Sequence, residues 1–204
     1  IASDLQIIHS HDFIHRDLHS GNILQDEMKN AYIADLGLSI TANIELKSKS
    51  DGVCGILLYI APEVLNKQPH SKASDIYSFG IIMWEILYDK PVHFGQDSKL
   101  QSKIQFQIQV CGGSRPPVHE NTATCYVDLM KKCWHTEPEK RPTTKEVDKI
   151  FVEWQTNKTI LSELSESNKK LQNIKNEDMQ INTDALYKSS FISFNNNYTN
   201  QGNL

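Results

Sequence analysis

Apolar residues recur along most of this chain at the three- and four-residue spacing that is typical of helices. One apolar face predicts a first helix over residues 1–11. Residues 72–88, including Ile86, are apolar nearly all round, which predicts a central, buried helix. Thr143, followed three residues later by Glu146, matches a capping box at the start of another helix. The pattern therefore predicts a mainly α fold, with further helices over residues 100–110, which also alternate in part like a strand, and residues 126–134.

Short strand-like pieces stand between the first predicted helix and the central one. Ile23–Leu24 and Tyr32–Ala34 flank a polar turn, which predicts a small β-hairpin. Residues 37–55 are polar and rich in Ser, Lys and Thr. A structureless loop of this length inside a compact domain is usually functional or disordered.

The composition changes after about Thr156, where Asn, Ser, Lys and Gln dominate. We expect residues 1–155 to form one folded domain and residues 156–204 to form a polar tail. Disorder is expected beyond Asn173. Before that point a helix could be extended by Leu161, Leu164 and Leu171.

Composition and charge limit the classes of partner. The formal net charge of −4 argues against a nucleic-acid partner or an anionic membrane surface. No apolar run reaches the roughly 20 residues needed to span a bilayer, and the first residues lack the basic region of a secretory leader. The four cysteines include no Cys-x-x-Cys pair and indicate reduced thiols rather than a zinc site. We therefore expect a cytoplasmic protein.

A carboxylate and an amide five residues apart point to chemistry. Asp17 and Asn22 lie on a polar, irregular stretch that ends in a turn signal. Phosphoryl transfer to a hydroxyl needs a carboxylate that orients the hydroxyl and accepts its proton, and ligands that hold magnesium on the phosphates. Asp17 can supply the first function and Asn22 the second. The alternative, in which Asp17 only caps a turn, stays open.

A second carboxylate follows the strand-like piece that ends at Ala34. Asp35 at a strand end can chelate a magnesium ion that bridges phosphates. Gly37 allows the chain to turn sharply after it. The two stretches together predict the hydroxyl-and-metal half of a phosphotransfer site.

These motifs resemble those of the protein kinase family and stand in the family's order. His15–Asn22 is similar to the kinase catalytic loop, Asp35–Gly37 to the Asp-Phe-Gly motif, and Ala61–Glu63 to the Ala-Pro-Glu motif. Ala73–Glu85 looks most like the tyrosine-kinase-like group, especially its expanded fungal members. The resemblance covers residues 1–154 and implies a mainly α, kinase-like C-terminal lobe with a small β-hairpin at the catalytic site and no N-terminal lobe.

The resemblance also implies roles for individual residues. Asp17 is the expected catalytic carboxylate, and Asn22 and Asp35 are the expected Mg²⁺ ligands. His19 occupies the position of a Lys that contacts the transferred phosphoryl group in Ser/Thr kinases. ATP and Mg²⁺ are the implied cofactors, and a protein is the implied substrate. Supporting roles are implied for His15 as a packed residue, Arg16 as a phosphate ligand, Leu36 stacked beneath His15, Gly37 in the turn, Asp75 bonded to the catalytic-loop backbone, and Glu63 paired with Arg141.

Three departures from the family pattern bear on the chemistry. Leu36 replaces the usual Phe and keeps an apolar side chain. His19 could donate as that Lys does if it is protonated, and the ordinary histidine pKa of about 6.5 makes this conditional on pH. Ile56 stands where Ser/Thr kinases carry a Thr and cannot hydrogen-bond Asp17, so Ser/Thr and Tyr acceptors both stay open, with a leaning to Ser/Thr. Candidate phosphorylation sites, each with an ordinary flexible loop as the alternative, are Ser39, Thr41, Ser48 and Ser50.

The sequence before the catalytic loop lacks a glycine-rich phosphate loop, a strand Lys and a helix Glu. The kinase mechanism requires the Lys–Glu pair together with the metal-binding Asp. Two hypotheses follow. In one, the chain is part of an active kinase whose N-terminal lobe acts in cis; in the other, it is a non-catalytic docking module. In both, we expect the chain alone to show no measurable phosphoryl transfer.

Overall fold

The structure, a computed structural model, describes residues 1–41, 52–92, 94, 103–175 and 188–193, and the backbone alone for residues 173–175. Helices dominate these residues, as predicted. None of the described helices is both long enough and apolar enough to cross a membrane. The α-helices are α1 (Ala2–Ser10), α2 (Pro62–Leu65), α3 (Lys72–Tyr88), α4 (Lys103–Cys111), α5 (Thr124–Cys133), α6 (Thr144–Thr156) and α7 (Lys158–Lys175).

The described strands form antiparallel pairs. The predicted hairpin is present, with Leu24 opposite Tyr32. The ends of the long polar segment are strands, so the expectation of a structureless loop over residues 37–55 is wrong there, while residues 42–51 lie outside the described residues. The pairs are β1 (Phe13–Ile14) with β4 (Ile40–Thr41), β2 (Ile23–Gln25) with β3 (Ala31–Ile33), and β5 (Gly52–Gly55) with β6 (Ser190–Ser193).

The central helix α3 has the bounds that the apolar pattern predicts. A capping box starts it: Ser71 Oγ accepts the N–H of Ser74 at 3.3 Å, and Ser74 Oγ accepts the N–H of Ser71 at 3.0 Å. Most residues of α3 are buried, but Ile86 is exposed, contrary to the expectation of an apolar surface all round. Glu85 and Tyr88, three residues apart, take the inward positions of the last turn, so Ile86 lies on the outer side.

A glycine allows α3 to pack closely against α5. A Cβ atom at Gly80 would lie 2.9 Å from Cβ of Cys133 and 3.2 Å from the backbone nitrogen of Trp134. No side chain fits in that space without a shift of the backbone. The close approach buries Leu129 and Met130 of α5, as their predicted stripe requires.

The helix at the start of the tail packs onto the preceding fold. The N–H of Thr124 donates to Glu163 Oε1 at 2.6 Å, and the N–H of Ala123 donates to Ser167 Oγ at 2.9 Å. Helix α5 has no side-chain cap of its own, so α7 satisfies these N–H groups. Leu171 of α7 is buried and belongs to the hydrophobic core.

The tail also contributes the strand β6 farther along the chain. Helix α7 continues to Lys175, and Ser190–Ser193 pairs with β5. The expectation of disorder beyond Asn173 is therefore wrong for residues 174–175 and 190–193. Pairing with β5 satisfies the backbone N–H and C=O groups of the tail. The expectation of disorder rested on side-chain composition alone and did not consider these groups.

Candidate active site

The carboxylate of Asp75 holds the loop that carries Asp17. Asp75 is buried in the first turn of α3. Its Oδ2 accepts the backbone N–H of His15 at 2.8 Å, and its Oδ1 accepts that of Arg16 at 3.0 Å. His9 Nε2 of α1 lies 2.9 Å from Oδ2. The expected bonds from Asp75 to the loop backbone are present, and they tie α1, α3 and the loop together.

His15 is buried and bridges the two sequence motifs. Its Nε2 donates to the carbonyl oxygen of Ala34 at 3.1 Å, and its Nδ1 accepts the N–H of Asp17 at 3.3 Å. A carbonyl can only accept and an amide N–H can only donate, so these partners assign the neutral ring with its proton on Nε2. His15 thereby links Asp17 to the residue before Asp35.

The charge of Asp17 is set by its neighbour His19. His19 Nε2 lies 3.7 Å from Asp17 Oδ2. The His19 side chain lowers the pKa of Asp17 below the ordinary carboxyl value, although partial burial opposes the shift. Asp17 is therefore ionised at neutral pH and can accept a hydrogen bond. A Cβ at Gly21 would lie 2.9 Å from two atoms of the His19 ring, so glycine makes room for the imidazole.

The hairpin brings the candidate metal ligands to one end. The N–H of Ala34 donates to the carbonyl oxygen of Asn22 at 2.8 Å, which continues the β2–β3 pairing, and Asp35 follows directly. Asn22 Nδ2 donates to the carbonyl oxygen of Asp17 at 2.9 Å, so Oδ1 is the Asn22 atom suited to a metal. An amide oxygen and an exposed carboxylate are hard oxygen donors of the kind that Mg²⁺ prefers, so these residues fit the ion.

Leu36 does not lie in the core. Its side chain is 54 % exposed. Asp35 has a left-handed φ of 59°, and the N–H of Ser39 donates to the carbonyl of Leu36 at 3.0 Å, so the chain turns at once after β3 and carries Leu36 outward. The expectation that Leu36 stacks beneath His15 is wrong. Gly37 lies in this turn, and its N–H donates to Asp35 Oδ1 at 3.1 Å.

The expected ion pair between Glu63 and Arg141 is present and bidentate. Arg141 Nη1 and Nη2 donate to Glu63 Oε1 and Oε2, each at 2.7 Å. Arg141 also donates to the carbonyl oxygens of Ala73 at 2.9 Å and His135 at 2.8 Å. This fork holds α2, which follows the long polar segment in the chain, against the start of α3.

A polar network that the sequence did not reveal links the catalytic loop to α3. Tyr59 OH donates to Glu85 Oε2 at 2.7 Å and lies 2.9 Å from Ser20 Oγ. Glu85 Oε1 accepts the N–H of Val92 at 3.0 Å. Burial raises the pKa of Tyr59 and that of Glu85. Tyr59 stands in an apolar run, Ile56–Ala61, which indicates only a core residue.

The end of the long segment passes directly beside Asp17. A Cβ at Gly55 would lie 3.4 Å from Asp17 Oδ1, and Gly55 has a φ of 148°, which favours glycine. Ile56 follows and packs against the core. Of the candidate phosphorylation sites, Ser39 and Thr41 are half-buried near the start of the segment, whereas Ser48 and Ser50 lie outside the described residues.

A pocket beside Asp17 contains Arg16 and His70. Arg16 Nε is buried and has no hydrogen-bond partner among the described residues. Burial, and then the nearby charge of Arg16, lower the pKa of His70 to about 4. A second positive charge is unfavourable in this pocket.

The low pKa of His70 makes stability depend on pH. The unfolded chain binds the proton near pH 6.5 and the folded chain near pH 4, so the free energy of unfolding falls as the pH drops through this range. Between pH 7 and pH 5 we expect a loss of roughly 2 kcal/mol from this group. Urea unfolding at both pH values measures it, and His70→Gln should remove that part of the loss. An equal loss in His70→Gln and the unsubstituted chain would contradict the assignment.

The chain is similar in sequence to known proteins over most of its length. The family profile described as "Protein tyrosine and serine/threonine kinase" matches residues 1–151. The chain belongs to the protein kinase family. This kinase chain is 34% identical over 153 residues to a serine/threonine-protein kinase/receptor of Acanthamoeba polyphaga mimivirus. It is 37% identical over 137 residues to a dual specificity protein kinase of Dictyostelium discoideum.

These matches cover much of the kinase chain but little of its relatives. They span 72% of the chain and 9% of the mimivirus protein, and 66% of the chain and 26% of the Dictyostelium protein. The loop with Asp17, the hairpin and the Glu63–Arg141 pair all lie within the residues that match the kinase family. Helix α7 and strand β6 lie beyond them.

Proposed function

We propose that this chain supplies the hydroxyl-and-metal half of a protein kinase active site and takes part in ATP-dependent phosphorylation of Ser and Thr hydroxyls in proteins. One observation carries the proposal: Asp17 lies on a loop anchored by Asp75, and that loop leads into the hairpin end that bears Asn22 and Asp35. The mimivirus relative, a serine/threonine-protein kinase/receptor, favours Ser/Thr acceptors, whereas the Dictyostelium relative is a dual specificity kinase. We assign the chain to the tyrosine-kinase-like group and to the cytoplasm within the same proposal.

Each residue of the site has a distinct task. Asp17 receives the hydrogen bond and then the proton of an acceptor hydroxyl, because its lowered pKa keeps it ionised at neutral pH. Asn22 and Asp35 would hold magnesium through oxygen atoms. When bound, Mg²⁺ supplies the positive charge that neutralises the phosphate oxygens of ATP. His19, beside Asp17, is the candidate donor to the phosphoryl oxygens.

Exposed apolar side chains around the hairpin favour the hypothesis that a second lobe of the same polypeptide covers them. Leu24 and Tyr32 face each other across the hairpin, and both are exposed. Leu36, on the following turn, is exposed as well. Adjacent exposed apolar side chains, such as the Leu24–Tyr32 pair, are typical of an interaction face. A lobe that brings the phosphate loop and the Lys–Glu pair would meet the site at this face.

Labelling with ATP tests the proposal. Residues 1–204 alone are expected to transfer no phosphate to a general acceptor protein, because ATP binding also needs the glycine-rich phosphate loop and the Lys–Glu pair, which these residues do not supply. The same chain preceded by its own upstream coding sequence is expected to label Ser and Thr residues of the acceptor. Phosphoamino-acid analysis of the product identifies the acceptor hydroxyl.

Two outcomes would contradict the proposal. Transfer by residues 1–204 alone would show that no second lobe is needed. A folded, longer polypeptide that binds partner proteins but labels no acceptor would favour the non-catalytic docking module.

A further inference from the structure

The tail strand β6 pairs along the whole of β5. Gly52 lies opposite Ser193, Val53 opposite Ile192, and Gly55 opposite Ser190. Both strands therefore use their full described length in one antiparallel ladder. The tail thus returns to the folded part of the chain across a separation of well over a hundred residues.

The two faces of this ladder differ in burial. Ile192 is 2 % exposed and Val53, its cross-strand partner, is also buried. Phe191 is 58 % exposed, and its partner Cys54 is exposed too. The alternation is that of a strand with one face on a core, so Ile192 anchors the segment.

Two further features are suited to an added strand. A Cβ at Gly52 would overlap the carbonyl oxygen of Ile192, so glycine permits the close approach of the tail backbone. At the other end, Lys103 Nζ of α4 donates to Ser190 Oγ at 2.8 Å. Contacts from β5 and α4 thus hold both ends of the strand.

The position of β5 gives this pairing its functional meaning. Gly55, the last residue of β5, lies against Asp17, and Ser190 stands opposite Gly55 in the ladder. A segment paired with β5 therefore runs along the strand that leads to the candidate catalytic carboxylate. Main-chain bonds to a sheet edge give affinity, and pockets for alternate side chains give specificity.

We propose that residues 188–193 of the chain's own tail occupy β5 as an intramolecular block, so that an acceptor protein must displace the tail before its hydroxyl reaches Asp17. The proposal rests on the proposed function for its consequence, control of access to Asp17. The preferred occupant carries an aliphatic residue at the place of Ile192 and small hydroxyl residues at the two ends of the paired segment, as Ser190 and Ser193 do here. Tethering through α7 raises the local concentration of the tail and favours it over free peptides.

Hydrogen exchange on the full chain tests the docking. Ile192→Asp places a charge at the buried position and should release β6, so that exchange in residues 52–55 rises by about tenfold or more. Phe191→Asp is the matched control, since it adds the same charge to the neighbouring, exposed position of the same strand. It should leave that exchange within about twofold of the unsubstituted chain.

A binding measurement provides the second arm. A labelled synthetic peptide of residues 188–193 should bind the Ile192→Asp chain at least about tenfold more tightly than the unsubstituted chain, whose edge is occupied. Gly52→Val changes β5 and leaves the sequence of the tail intact. Added to the Ile192→Asp chain, it should weaken binding of the same peptide relative to Ile192→Asp alone. Equal exchange in all chains, or no peptide binding to the Ile192→Asp chain, would overturn the inference.

Neither the exchange measurement nor the binding measurement uses ATP. A failure of the tail-docking inference can therefore be told apart from a failure of the proposed function. A chain that docks its tail as expected but belongs to a polypeptide without phosphoryl transfer would contradict the proposed function alone. If the longer polypeptide transfers phosphate but Ile192→Asp leaves the hydrogen-exchange rate of residues 52–55 unchanged, only the docking of the tail is overturned.

Discussion

Replacing Glu63 by Gln is expected to lower the free energy of unfolding by about 3–5 kcal/mol. The side chains of Arg141 and Glu63 are 0% and 6% exposed, and two 2.7 Å contacts join them. The substitution leaves the guanidinium buried without a compensating charge, and water cannot reach it. Urea unfolding, followed by the fluorescence of the buried tryptophans, measures the change.

An exposed ion pair with a similar contact distance provides the control. Lys140 Nζ lies 2.8 Å from Glu137 Oε1, but these side chains are 55% and 51% exposed. Glu137→Gln should therefore leave the urea midpoint unchanged, because solvent screens the charges. Similar losses in the two variants would show that burial does not govern the Glu63–Arg141 pair.

Replacing Asp17 by Asn is expected to lower the rate of phosphoryl transfer by about 10²–10⁴-fold in the polypeptide that includes the upstream sequence. Asn keeps the size of the side chain but cannot take the proton of an acceptor hydroxyl. The backbone groups of Asp17 make its bonds to His15 and Asn22, so these bonds survive the change. Steady-state transfer from labelled ATP measures the rate.

The same variant separates catalysis from turn capping. If Asp17 only caps a turn, Asp17→Asn should lower the unfolding midpoint and reduce transfer only through the loss of folded protein. Asp26→Asn is the matched control: Asp26 is an exposed carboxylate at the far end of the hairpin, with a pKa lowered by its bond to Asn30. That variant should transfer phosphate at the normal rate, and a loss equal to that of Asp17→Asn would contradict the assignment.

Much of the fold could be predicted because it follows from local sequence. Apolar spacing gives a helix its bounds, as α3 shows, and a polar turn between two short apolar runs forms the β2–β3 hairpin. The capping box is also local: Glu146 N–H donates to Thr143 Oγ1 at 3.3 Å, and Thr143 N–H donates to Glu146 Oε2 at 2.7 Å. These features involve residues a few positions apart, so tertiary context changes them little.

The wrong predictions concern residues whose surroundings come from elsewhere in the chain. Leu36 is apolar, yet the left-handed Asp35 beside it turns it outward. Ile192 lies in a tail of disordered composition, yet the strand β5 pairs with it, and Gly52, which has no side chain, leaves room for its backbone. His9 is one helical turn after Leu5 on the buried face of α1, and this spacing was the available signal for its contact with Asp75.

By itself, the sequence determined most of the helices and the hairpin, and it singled out Asp17, Asn22 and Asp35 as candidates for phosphoryl transfer, because spacing and side-chain chemistry suffice for these. Only the tertiary structure decided what surrounds them. Asp75 reaches the N–H of His15 across 60 residues, and Arg141 reaches Glu63 across 78. The return of β6 to β5 is of the same kind. Such contacts depend on how whole helices pack and on which backbone groups remain unpaired, and no local pattern carries that information.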